Sequence, residues 1–137
     1  MIQNIYQKAN YSIAIDLQKQ RAYITLTGQW EEQLTAEEYL RDLRAVLTNF
    51  EGAFSLVADF SKMLPFKYSL EDNVHLKALR ILISSGLKKS AEVMPENERA
   101  HQQLITLSEI AKAPLNLFGE RSIAEDFLDT YMAMSPK

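Results

Sequence analysis

Two stretches near the start of the chain alternate between apolar and polar positions, and they constrain the fold more than any other feature. In Tyr11 to Leu17, Tyr11, Ile13, Ile15 and Leu17 point one way, and Ser12, Ala14 and Asp16 the other. Period two with β-branched residues is the signature of a strand with one buried face. Gln18-Lys19-Gln20 is a polar link to Arg21–Gly28, where Ala22, Ile24 and Leu26 alternate with Tyr23, Thr25 and Thr27. Two such runs joined by a short turn make an antiparallel hairpin.

The period then changes. Tyr39/Leu40, Leu43, Val46/Leu47 and Phe50 recur at helical spacing after a capping box at Thr35 to Glu38. Phe54 to Phe60 reads as a third strand. A second helix is predicted from a Ser69 cap to about Ser85, ended by Gly86, and a fourth strand from Leu87 to Met94. Asn97 caps a third helix that Pro114 stops, Leu115 to Phe118 is a short fifth strand, and Ser122 to Glu125 opens a last helix. The order is ββαβαβαβα. It predicts an α/β fold: a five-stranded mixed sheet, an antiparallel hairpin followed by parallel strands in the order one-two-three-four-five. Parallel crossovers are right-handed in nearly all proteins. Clean alternation in the first three strands predicts two layers, with four helices on one face and the other face wet.

Composition narrows the function. The chain has 137 residues, no cysteine, and 15 basic against 18 acidic residues. One domain is expected over 1–137, with its core in 11–134. Thiolate metal sites and cysteine nucleophiles are excluded. Basic residues are scattered, so nucleic acid is not the expected partner. The opening MIQNIYQKAN has neither a basic nor an apolar leader region, and no apolar run is long enough for a transmembrane segment. A cytoplasmic location is the expectation.

Three segments, "YITLTGQW", "LVADFSKM" and "LNLFGERSIAEDFLDTY", together with the element order over Tyr11 to Tyr131, resemble the SpoIIAA-like superfamily, which holds the STAS domains and the Sec14-type lipid-binding domain. The resemblance implies a non-catalytic regulatory or protein-interaction domain with a protein partner. The alternative it implies is a carrier of a lipid or other apolar small molecule. Anti-sigma-factor antagonists of this fold carry an Asp-Ser-Ser-Gly phosphorylation motif. Counted from Asp59, that motif falls on Lys67, Tyr68, Ser69 and Leu70, of which only Ser69 matches.

Candidate sites follow. Met63, Leu64, Pro65, Phe66 and Tyr68 make an apolar corner where the third strand ends, the end of a parallel sheet at which ligands bind. The corner is a partner patch, a pocket lip, or a set of core plugs. Ser69 is a plain cap or a phosphate acceptor. The second helix bears two apolar stripes, Leu70, Val74, Ala78, Ile81 and Leu82, and nearly opposite them Leu76, Leu79 and Ile83. The second stripe requires a neighbouring helix, an acyl chain, or a second subunit as a homodimer. Glu71 and His75 have metal-pair spacing but no third ligand, so neither metal nor cofactor is expected. Asp59 suits a turn as well as a site. No nucleophile elbow or phosphate loop is present, and no enzymatic activity is expected.

Overall fold

The computed structural model describes residues 1–30, 33–66, 73–113 and 115–134. Its sheet has six strands: β1 Gln3–Gln7, β2 Tyr11–Asp16, β3 Arg21–Gly28, β4 Phe54–Met63, β5 Leu87–Val93 and β6 Leu117–Phe118. They lie in chain order, β1-β2-β3-β4-β5-β6. The first three pair antiparallel and the rest parallel. Asp16 builds the β2–β3 turn: its Oδ1 accepts the Gln18 and Lys19 N–H groups at 3.1 and 3.2 Å.

The helices are α1 Gln33–Leu47, α2 Val74–Ser84, α3 Glu98–Ala111 and α4 Arg121–Met134. The first three cover one face of the sheet. Ile13, Ile15, Ala22, Ile24, Leu26, Leu56 and Ala58 form a core there with Tyr39, Leu43, Val46, Val74, Leu76, Leu82, Leu104 and Leu107. Each of these helices connects parallel neighbours, and right-handed crossovers that step one way must share a face.

The structure corrects the sequence reading in three places. A sixth strand, β1, precedes the hairpin and pairs with β2 across an irregularity between Asn4 and Tyr6. Not all helices share one face: Ala124 and Leu128 of α4 pack on Ala14, Tyr23, Val57, Ala91 and Val93, which project from the opposite side. The architecture is therefore three-layered where α4 lies. Among the described residues no strand follows α4, so no crossover here ties it to the other helices. Thirdly, two helices start ahead of their expected caps, leaving Thr35 and Ser122 inside α1 and α4. The cap of α2 is Asn73, and the Ser69 expected in that role lies outside the described residues. Asn97 does cap α3, its Oδ1 accepting Ala100 N–H at 3.0 Å.

Candidate functional site

The apolar corner sits at the carboxyl ends of β3 and β4. Gly28 ends β3 at a φ of 71°, left-handed backbone that favours glycine, and its carbonyl accepts the Leu64 N–H at 3.1 Å. Beyond that clamp the side chains divide. Met63 and Phe66 are buried core plugs, whereas Leu64 is 43% exposed. Gln103 of α3 fixes the backbone of Phe66 from both sides: it donates to Phe66 O at 2.8 Å and accepts from Phe66 N–H at 3.0 Å. The corner is thus a packed platform with one projecting apolar side chain. Leu34, in the first turn of α1 and also beyond the end of β3, is exposed as well. Tyr68 and Ser69, named with the corner, lie outside the described residues.

Beneath the platform lies an aromatic cluster. Trp30 sits 5.8 Å from Tyr11, 5.1 Å from Tyr39 and 5.0 Å from His75 between ring centroids, and Phe66 lies 5.5 Å from His75. The Tyr11 hydroxyl donates to Asp42 Oδ2 of α1 at 2.6 Å, and burial, helped by that carboxylate, holds its phenol proton well above the ordinary range. Asn73 opens α2. Its Oδ1 accepts the His75 and Leu76 N–H groups at 2.8 and 3.4 Å, a bond set worth about 1 kcal/mol.

Four polar atoms of this cluster are buried with no hydrogen-bond partner among the described residues: Trp30 Nε1, Asn73 Nδ2, and Nδ1 and Nε2 of His75. The Asn73 amide cannot be turned to relieve this, because its oxygen already serves two backbone donors. Burial pushes the His75 imidazole down to about 3, so it is neutral at physiological pH. Each orphaned buried polar group costs about 1–3 kcal/mol. A domain's whole stability is about 5–15 kcal/mol, so four unpaired atoms would be a large share of it.

The second stripe of α2 is divided too. Leu76 is buried in the core and Leu79 packs against it, because α2 lies between α1 and α3. Ile83 is 41% exposed and borders a cleft of about 200 Å³ with Leu87, Ser90, Lys112 and Asn116. Asp59 lies within β4, its Oδ1 accepting Ser61 N–H and Oγ–H at 3.0 and 2.7 Å just where the pairing with β3 becomes irregular. Among the described residues, no group of three or more His, Asp or Glu could hold a metal ion. The Glu71 partner considered for His75 lies outside them.

Sequence reasoning placed the corner but missed Asn73 and the orphaned cluster. The signal for Asn73 was present: asparagine directly before an apolar helical run is a strong cap. The clustering of Trp30 with His75 joins positions far apart in sequence and has no local signature.

No protein-family model matches the chain, and no curated protein does. Among solved structures, it is similar to the crystal structure of an anti-sigma factor antagonist from Mycobacterium paratuberculosis. The two share 15% identity with a TM-score of 0.53, over 94% of this chain and 95% of the other. This chain shares the fold of that structure, the SpoIIAA-like fold. No helix among the described residues is long and apolar enough to cross a membrane.

Proposed function

We propose that the chain is a non-catalytic regulatory domain that docks a protein partner at the carboxyl edge of β3 and β4. The carrying observation is Leu64, an exposed apolar side chain between the buried Met63 and Phe66, on backbone clamped by Gly28 and Gln103. A projecting apolar group on rigid backbone loses little conformational freedom on binding and suits an interface anchor. The likeness to an anti-sigma factor antagonist supports a protein partner.

A photo-crosslinking residue placed at Leu64, in cells of the native host, is expected to capture a discrete partner protein. The same probe at Ile123, exposed on α4 across the sheet, should not. Leu34→Lys with Leu64→Lys should release the partner. Capture from Ile123 alone, or a co-purifying lipid with no protein, would move the function away from this edge.

A further inference from the structure

The orphaned cluster behind α2 is the part of the molecule that its own contacts explain least. Trp30, Asn73 and His75 are 3%, 0% and 3% exposed. They come from the segment after β3 and from the start of α2, and the Trp30 and His75 rings touch edge to face at 5.0 Å. Asn73 is bonded to the His75 backbone N–H at 2.8 Å, so all three side chains belong to one interior neighbourhood. Their chemistry is complementary to a single kind of guest. Trp30 Nε1–H and Asn73 Nδ2–H can only donate, while a neutral imidazole offers one donor and one acceptor. An oxygen that accepts from Trp30 and Asn73 and donates its own proton to the unprotonated ring nitrogen of His75 satisfies three of the four atoms. A charged guest fits poorly, because Tyr11, Tyr39 and Phe66 line the neighbourhood and no ionised side chain among the described residues is bonded to these atoms.

We propose that Trp30, Asn73 and His75 form an internal site for a neutral hydroxylic guest, either an ordered water or the hydroxyl of a small molecule. The guest ties the start of α2 to the segment after β3, directly under the corner. This site does not depend on the docking reading: it would exist whether or not Leu64 meets a partner. Buried waters commonly serve polar groups left unpaired in this way.

Trp30 is the chain's only tryptophan, so its indole N–H gives one assignable signal. In ¹⁵N-labelled protein, that proton is expected to show a cross-relaxation peak to a water or to a guest hydroxyl. A high-resolution crystal structure should place density within hydrogen-bond reach of at least two of the orphaned atoms. Native mass spectrometry separates the sources: unshifted mass means water, and an added mass lost on denaturation means a small molecule. The shape-conserving variant His75→Phe removes two orphaned atoms. With a guest present, it breaks that guest's bonds and lowers the melting temperature at pH 7 by a few degrees. A site without density, together with a melting temperature raised in His75→Phe, overturns the proposal: the rings would then only satisfy each other through N–H···π contact.

Discussion

Single residues set how this fold responds to pH, and two buried ones pull in opposite directions. Glu92 of β5 is 2% exposed, and its Oε1 accepts the Asn116 N–H at 2.9 Å. Burial raises its carboxyl from 4.5 to about 7, only partly offset by bonds from Ser90 and Asn116. The folded state therefore holds this proton more tightly than the unfolded chain does. Stability from Glu92 is fully present below about pH 4.5 and is lost as pH rises through 7. Glu92→Gln keeps an acceptor for Asn116 and removes the charge. It should be more stable than the native chain at pH 8, by roughly 3 kcal/mol if the full shift is realised, with the gap closing near pH 5. Urea titrations at both pH values measure this, and a gap independent of pH would show that Glu92 stays ionised in the fold. His75 acts the other way. Its imidazole is depressed from 6.5 to about 3 by burial, so its contribution is intact above pH 6.5 and lost as pH falls toward 3. Optimal stability should therefore lie between these two losses.

Among the elements, α4 stands apart because a small apolar cluster and a set of polar contacts centred on Arg21, with Lys19 beside it, hold it. Arg21 of β3 is 1% exposed; its Nη1 donates to Glu125 Oε2 at 2.9 Å and Asp129 Oδ1 at 2.8 Å, and its Nε to Ser55 Oγ at 3.0 Å. The Tyr23 hydroxyl adds a bond to Glu125 Oε1 at 2.6 Å. Asp129 is held below its ordinary range: burial opposes this, but bonds from Arg21 and Lys19 prevail. In Arg21→Met both carboxylates can turn to water, since their side chains are 24% and 44% exposed. The loss should be about 1–3 kcal/mol rather than that of a fully buried pair. It should also be local, with α4 amides exchanging hydrogen faster while those of α1, α2 and α3 change little. Uniform acceleration would mean that α4 unfolds only with the rest. This element also marks where sequence patterning stops. The hairpin, the parallel crossovers and the caps at Asn97 and Gly86 were legible because each is a local or periodic signal. The side taken by α4 was not, because no described strand follows it to fix a crossover, and Ala14 and Ala91 are too small to announce a second buried face. β1 was hidden for another reason: its apolar residues Ile5 and Tyr6 are adjacent, and the register shift between Asn4 and Tyr6 breaks period two. At the site, the corner's composition was legible, but which of its residues plug the core depends on Gln103, far away in sequence.

At the scale of the whole molecule, the second stripe of α2 decides how much apolar surface is left for a second copy of the chain. A helix on the outside of a layer would need a partner for Leu76, Leu79 and Ile83. Here α2 is the middle helix of three on its face, so α1 and α3 cover its flanks. Leu76 is consumed by the core, Leu79 is half-buried, and Ile83 alone is exposed at 41%. One isolated isoleucine is ordinary surface and falls far short of the roughly 800 Å² per partner that a stable interface buries. The chain is therefore expected to sediment as a monomer at micromolar concentration, with Ile83→Lys unchanged from the parent. A dimer that dissociates on Ile83→Lys would return the stripe to an intermolecular role. It would also compete with the docking edge for the same explanation, because both would then be apolar surfaces on elements that flank β4. Under the docking proposal, a monomer would leave Leu34 and Leu64, exposed beyond the ends of β3 and β4, to meet a different protein rather than a second copy.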